Sequence, residues 1–434
     1  MKKILFLGLM LVSLLTACQK EDELDPSERP DARLNQTLTD YKNQLTGSEF
    51  GWKAVLYPNG GAGYSFLIKF MPNDRVSMTS DINASTAETT LESTYRLKAL
   101  QRPALIFDTY NYMHILADPD ETKSSGVRGA GKFSDFEFSF ESVTPETITL
   151  TGNLQGSRMV LTKATREDAE NFIKQTAATA QQFANLQNLR TYFKRVTLGA
   201  TAFDILIDSN FREIMFTYFE GNTLKTFITT YYYTDNGIML LEPFTVNGVT
   251  ITSLNNIQYT AATRRFTLTI NNTAATIQEA TRPLGVDLTF ARSFFNDPGD
   301  DYWVAETGFT VDGVADALNV NSIPNYYFIA LWPKYGTSGG RTYDLLGFVT
   351  VNAAGTGLEL NFGPAAVSSL TSDGRIVYTY LGILGTVPAA QEAVVTATRQ
   401  TWTDTQGFYI IPTGPSSVDL VSARDARSWI SLYR

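Results

Sequence analysis

The only histidine of the 434-residue chain is His114. Any mechanism that needs a histidine base rests on that one residue, and a zinc site with two histidine ligands is excluded. Asp108, Asp118, Asp120 and Glu121 lie near it in sequence and could join main-chain carbonyls in an oxygen-rich calcium site. Calcium-loop spacing, with its glycine and closing glutamate, is absent, so the plainer expectation is a strand with an aromatic face running into an Asp-Pro turn. Gly336-Thr337-Ser338-Gly339-Gly340 matches the nucleophile-elbow pattern. An elbow needs a strand before it, a helix after it and a later histidine; no histidine follows, and a glycine-rich hairpin loop is expected instead. Asp297, Asp300, Asp301 and Glu306 flank Trp303 and are candidates for paired-carboxylate hydrolysis, against the blander reading of an acidic surface loop. Trp303, Trp332, Tyr335 and Trp402 stand near expected loops and are the candidate ligand-binding residues, able to stack on sugar rings or peptide side chains if they do not fill a β core. The catalytic residues stay unassigned, and no metal and no cofactor is called for.

Cys18 is the only cysteine, so the chain forms no internal disulfide. It follows Lys2 and Lys3, an apolar run from Ile4 to Leu15 and the small pair Thr16-Ala17. That is the order of a secretory signal, and a run this short cannot span a bilayer, which takes about 20 residues. Leu15-Thr16-Ala17-Cys18 resembles the lipobox of bacterial lipoproteins, which implies cleavage before Cys18, acylation of its sulfur and amine, and a lasting lipid anchor. Gln19 after the cysteine argues against retention at an inner membrane. Lys20-Glu21-Asp22 resembles the export signal of Bacteroidetes surface lipoproteins, which implies an outer membrane and a body facing the cell exterior.

Without Lys2 and Lys3 the chain keeps 33 basic residues against 44 acidic ones, a net charge near −11. So acidic a body has no basis for nucleic-acid binding. With 43% apolar residues the chain can bury large cores and should divide into two or three lobes. Thr, Tyr, Phe and Val with frequent Gly and Asn favour strands and turns.

The elements that must position the candidates follow from periodicity. A short helix is expected from Pro30-Asp31 to Gly47, capped by Asp31, with Leu34, Leu38, Tyr41 and Leu45 on one stripe. Period-two segments then run to Lys163, clearest where Phe136, Phe138 and Phe140 alternate with Glu137, Ser139 and Glu141; these predict an up-and-down barrel or a sandwich. A long helix opens with Thr165 and Asp168 as a capping box and should run to about Tyr192. Strands resume to about residue 282, and glycine-punctuated strands continue to about Trp429. The expected fold is all-β and mainly antiparallel, with two or three barrel or sandwich lobes. Its divisions are a signal peptide (1–17), a lipidated tether (18–30), an N-terminal β lobe with its leading helix (31–164), a connecting helix (165–193), a second β lobe (194–282) and a C-terminal β region (283–434). Thr147-Ile148-Thr149-Leu150-Thr151 and Phe266-Thr267-Leu268-Thr269-Ile270 each precede an Ala-Thr-Arg, at 164–166 and 280–282, a hint that a lobe is duplicated.

Over residues 31–163 a longer ordered set of phrases stands out: Gly51-Trp52, Ser93-Thr94-Tyr95, Leu105 to Asn111, His114 with Ala117-Asp118-Pro119, and Ser134 to Phe138. On these residues the chain resembles the Bacteroidetes lipoprotein family called domain of unknown function 4302. The resemblance implies a surface-associated lipoprotein, often grouped with outer-membrane importers of glycans or other nutrients, and supplies no catalytic residues. The leading expectation is a noncatalytic binding or accessory component that works beside an importer and its lipoprotein partner, with a glycan or peptide ligand. The rivals are a surface hydrolase with a carboxylate pair and a purely structural lipoprotein. A hydrolase should show two carboxyls converging in a concave pocket, and a binder an aromatic platform.

Overall fold

The computed structural model describes residues 30–299 and 301–434, and the side chains from Arg33 onward. The chain divides into two compact units: one holds residues up to Gly60, Phe66–Ser80 and Thr89–Glu170; the other holds Gly61–Ser65, Asp81–Glu88 and Asn171–Arg434. The fold is mainly antiparallel β, as composition and alternation lead one to expect.

The first barrel is a meander of β1 (Trp52–Tyr57), β2 (Tyr64–Phe70), β3 (Arg75–Ser80), β4 (Leu91–Ala99), β5 (Pro103–Phe107), β6 (Glu137–Val143), β7 (Thr147–Gly152) and β8 (Arg158–Lys163). β8 returns to β1, with Trp52 opposite Lys163 and Tyr57 opposite Arg158, and the barrel closes. Alternate residues fill it: Ala54 and Leu56 from β1, Val76 and Met78 from β3, Ile148 and Leu150 from β7 are all buried. Each large apolar side chain so buried contributes roughly 1.5–3 kcal/mol. The helix Pro30–Thr46 lies where its stripe predicts, with Leu45 buried, the Tyr41 ring 4.4 Å from Phe140, and the Leu45 carbonyl accepting the Trp52 indole N–H at 2.9 Å.

The helix Arg166–Ala184 opens on the expected capping box: Thr165 N–H donates to Asp168 Oδ2 at 2.9 Å, and Asp168 N–H to Thr165 Oγ1 at 3.2 Å. It stops at Ala184, short of Tyr192, because the Asn185 side-chain amide caps the carbonyls of Gln181 and Gln182 and the chain tightens into a 3-10 turn at Asn185–Asn188.

The second barrel comprises β9 (Phe193–Leu198), β10 (Thr201–Asp208), β11 (Glu213–Glu220), β12 (Thr223–Tyr233), β13 (Gly237–Val246), β14 (Val249–Thr260), β15 (Arg265–Ile270) and β16 (Thr273–Ala280), closed where β16 pairs with β9. Its core stacks Phe216 on Phe244 at 4.3 Å, with Phe203 edge-on to Phe244 at 5.4 Å. Asn271 and Asn272 both take positive φ in the two-residue β15–β16 turn, the conformation a tight hairpin requires.

The C-terminal region forms one nine-stranded sheet from β17 (Trp303–Ala305), β18 (Thr310–Val311), β19 (Tyr326–Ser338), β20 (Arg341–Val351), β21 (Leu358–Leu370), β22 (Arg375–Gly385), β23 (Phe408–Gly414), β24 (Ser417–Ser422) and β25 (Ser428–Tyr433). β17 pairs with β19 on one side and, through Val304 and Tyr433, with β25 on the other. The helices Leu288–Asn296 and Glu392–Trp402 contribute Ala291, Phe294, Val395 and Trp402 to the core on one face of this sheet.

Candidate functional site

The hairpin β19–β20 turns two different faces outward from one pattern of alternation. Ile329 and Leu331 enter the core with Leu346 and Phe348, while Phe328 and Ala330 lie on the opposite face with Val349, Tyr302 and Val304. Aromatic rings extend that opposite face. Tyr302 stacks on Phe328 at 5.7 Å and meets Trp332 at 5.1 Å; Trp332 meets Tyr335 edge-on at 5.3 Å; Tyr335 lies 6.0 Å from Tyr343. Tyr327, 57% exposed, abuts Phe328 at 5.5 Å, and Tyr335 is 37% exposed. Such pairs contribute roughly 0.5–1.5 kcal/mol each beyond the area they bury, so the rings hold one another in place as a pre-formed strip.

A bulge makes the strip possible. Between the pairs Trp332 with Leu345 and Gly336 with Tyr343, β19 sets three residues against the single Asp344 of β20. Strict alternation would send Trp332 and Tyr335 to opposite faces; the extra residues bring their rings into contact. Lys334 adopts φ +53° within the bulge, and its N–H donates to Asp344 Oδ1 at 2.7 Å. A Cβ on Gly336 would stand 2.8 Å from the Tyr343 hydroxyl, so glycine there leaves room for the ring across the strand.

Of the four aromatic candidates, the structure brings Trp332 and Tyr335 together on this strip. Trp402 is fully buried against Tyr378 at 4.6 Å. Trp303 is 5% exposed, with its indole N–H on the Pro298 carbonyl and the Arg434 guanidinium 4.4 Å from its ring. Both are core residues, drawn inward by the area they bury. Tyr302, Tyr327 and Tyr343 belong to the strip and were missed; the tyrosine density of 302–343 was the available signal.

The remaining candidates disperse. His114 stands in a short helix, Tyr112–Ala117, which corrects the strand expected there. Asn111 caps that helix, its side chain accepting the Met113 N–H at 3.0 Å, while its own N–H donates to His114 Nδ1 at 3.2 Å. The imidazole is sandwiched between Tyr110 and Phe136, and burial holds its pKa below the ordinary histidine value. Asp118 accepts from the Tyr110 hydroxyl and from Asp120 N–H, and Asp120 caps the turn Glu121–Ser124. Asp108 is bonded to Arg96. Among the described residues no three His, Cys, Asp or Glu side chains gather as metal ligands, and no helix is long and apolar enough to cross a membrane. Gly336–Gly340 is the β19–β20 hairpin end, with Gly339 and Gly340 at positive φ and a strand on either side. Asp297 ends the helix Leu288–Asn296, and Glu306 accepts from the Tyr433 hydroxyl at 3.0 Å. Cys18, Lys20, Glu21, Asp22 and Asp300 lie outside the described residues, as does the side chain of Asp31.

Two carboxylates that sequence reasoning did not single out, Asp204 and Asp287, line a cavity of about 130 Å³ together with Phe193, Met215, Leu224 and Ile411. Asp204 is held on both oxygens by Arg195, at 2.8 and 2.9 Å, and accepts the Leu284 N–H. Asp287 caps the helix Leu288–Asn296 through Thr289 and Phe290 N–H. Asp204 is thus tied to Arg195 and to the Leu284 backbone, and Asp287 to the helix start through Oδ1.

Residues 25–258 match the model of the family described as Domain of unknown function (DUF4302). No curated protein matches the chain. Among solved structures, the octameric penicillin-binding protein homologue from Pyrococcus abyssi is 10% identical, with 34% of this chain and 36% of that one aligned and a TM-score of 0.15. The alignment thus spans only about a third of that protein. The DNA polymerase III beta subunit from Thermotoga maritima is 8% identical over 92% of this chain and 97% of its own, with a TM-score of 0.13. The isotype 1 transferrin binding protein B from serogroup B Neisseria meningitidis is 11% identical over 88% and 73%, with a TM-score of 0.12. Likenesses this low carry neither a fold nor an activity across.

Proposed function

The chain belongs to the family described as a domain of unknown function (DUF4302), and because that membership brings no activity with it, we propose from its own residues that it is a noncatalytic binding component of a cell-surface uptake system. The aromatic strip Tyr302, Trp332, Tyr335 and Tyr343 carries this reading. It is a pre-formed, half-exposed row of uncharged rings on a rigid sheet face, and such rings bind the apolar faces of sugars or peptide side chains at little entropic cost. The lipobox-like Leu15 to Cys18 and the following Lys20-Glu21-Asp22 support an acylated protein on the outer face of an outer membrane, beside an importer that receives the glycan or peptide. In the Asp204 cavity, Asp204 is held on both oxygens by Arg195 and Asp287 caps a helix, which favours binding over hydrolysis.

The deciding experiment is a glycan and peptide array probed with residues 31–434. The expected result is retention of one ligand class, lost in a Trp332→Ala, Tyr335→Ala double variant. Binding to no member of the array would sink the proposal. Placement has a separate check: protease shaving of intact cells should remove the protein, and replacing Lys20, Glu21 and Asp22 by alanine should protect it.

A further inference from the structure

Among the described residues six aspartates are buried: Asp81, Asp118, Asp135, Asp204, Asp344 and Asp419. Burying a carboxylate costs several kcal/mol unless a cation or several hydrogen bonds compensate it. Asp81 has Arg212, Asp118 has Lys123, and Asp204 has Arg195. Asp135 accepts three main-chain N–H groups, from Leu154, Gln155 and Ser157. Asp419 takes a short bond from Tyr192 inside the packed β24. Asp344 is hydrogen-bonded only by neutral donors, Lys334 N–H and the Ser368 hydroxyl, forms no ion pair, and lines a cavity.

That cavity, about 190 Å³, lies behind the β19 bulge. Its mouth is formed by the exposed residues Asn296, Lys334 and Thr342, and its floor by the buried Asp344, Phe294 and Tyr378. The Lys334 ammonium does not pair with Asp344; it donates to the Asn296 carbonyl at 2.7 Å, at the carbonyl end of the helix Leu288–Asn296. A polar entrance therefore leads to a buried carboxylate that forms no ion pair, with aromatic rings beside it. Burial pushes the Asp344 carboxyl above its ordinary pKa, against the lowering effect of its bonds to Lys334 N–H and Ser368 and of the Lys334 charge nearby.

We propose that this cavity binds a primary ammonium group carried by a small ligand with no other charge, with Asp344 as its counter-ion and the Ser368 and Thr342 hydroxyls as further acceptors. The ammonium supplies the direct ion pair that Asp344 does not make with Lys334, and the rings of Phe294 and Tyr378 add cation–π attraction. An amino sugar and the N-terminus of a peptide both present this group. The site stands on its own cavity and does not depend on the aromatic strip, so either can fail alone.

The test uses the full chain and follows its thermal unfolding with glucosamine hydrochloride and with glycinamide hydrochloride. N-acetylglucosamine and potassium chloride at matched ionic strength are the controls. A ligand that binds only the folded chain stabilises it by RT ln(1 + L/Kd) at free concentration L, and so raises the midpoint as its concentration passes Kd. At least one ammonium probe should raise it while both controls leave it unchanged, and glucosamine against glycinamide tells amino sugar from peptide terminus. Asp344→Asn should weaken the apparent affinity about tenfold or more, and Thr342→Phe, a change at the exposed mouth that leaves the carboxylate in place, should do the same by blocking entry. An equal shift with potassium chloride, an unchanged shift in a folded Asp344→Asn or Thr342→Phe variant, or no shift with either probe would overturn the proposal.

Discussion

The Tyr192 hydroxyl donates to Asp419 Oδ2 at 2.6 Å, and both residues are buried. Tyr192 immediately precedes the second barrel, and Asp419 stands in β24 of the C-terminal sheet. The bond belongs to a packed cluster in which Tyr192 also meets Trp429 edge-on at 5.5 Å and takes the Ala426 carbonyl with its own N–H at 2.7 Å.

Burial raises the Asp419 carboxyl to about 6, against the lowering effect of its bonds to Tyr192 and Ser431. A carboxyl whose folded pKa exceeds its unfolded value near 3.9 favours the folded state most at low pH, and this contribution disappears as pH rises from about 4 through about 6. Asp419→Asn keeps an acceptor for Tyr192 and cannot ionise. Its stability relative to the parent should therefore improve between pH 4.5 and 7.5, by about 2 kcal/mol, since part of a shift of this size is already lost below pH 4.5. Urea unfolding at the two pH values measures the change; an unchanged difference would mean that Asp419 does not titrate in this range.

Arg212 reaches Asp81 at 3.1 Å, donates to the carbonyls of Gly63 and Asp81, and lies over the rings of Tyr64 and Tyr233 at 4.1 and 4.8 Å. Both members of the pair are buried. Asp81→Ala leaves the guanidinium without its counter-ion and should cost about 3–5 kcal/mol. Adding Arg212→Met should recover much of that loss, and a double-mutant cycle in urea gives the coupling directly. Simple additivity of the two losses would contradict it.

Much of the barrel architecture was legible because a half-buried strand writes its two faces into alternate residues. The phrases that hinted at duplication fall in β7 and β15, each the seventh strand of an eight-stranded meander, and each Ala-Thr-Arg follows or ends the eighth. The strip was legible only in part. Trp332 and Tyr335 are three residues apart, a spacing that strict alternation assigns to opposite faces, and the bulge that reunites them depends on Asp344 across the hairpin. Trp303 and Trp402 look like Trp332 in sequence, and only their packing partners distinguish them. The helix around His114 was hidden for a related reason: the Asn111 cap that starts it overrides the strand-like alternation of Tyr110, Tyr112 and His114.

Side-chain burial separates the tryptophans energetically. Trp402→Ala opens a large void between Tyr378 and the helix Glu392–Trp402 and should cost about 3–5 kcal/mol. Tyr335→Ala removes a partly exposed ring and should stay within about 1 kcal/mol of the parent. Thermal unfolding of the two variants side by side checks this, and comparable losses would show that Tyr335 is a structural residue.

The bulge offers the most direct control over the strip, because it can be altered without touching a ring. Gly336 sits where any Cβ would press on the Tyr343 hydroxyl at 2.8 Å, so Gly336→Val must push the Tyr343 ring away from Tyr335, which lies 6.0 Å from it. The strand itself tolerates valine, which favours β structure, so the fold should persist with a loss of about 1–3 kcal/mol, the range for overpacking. If the strip binds as one surface, the array ligand should weaken about tenfold although all of its aromatic residues remain. Tyr343→Phe removes only the hydroxyl and relieves part of the clash, so adding it to Gly336→Val should restore some of the lost affinity. Unchanged binding in the folded Gly336→Val variant would show that Tyr343 lies outside the surface the ligand uses.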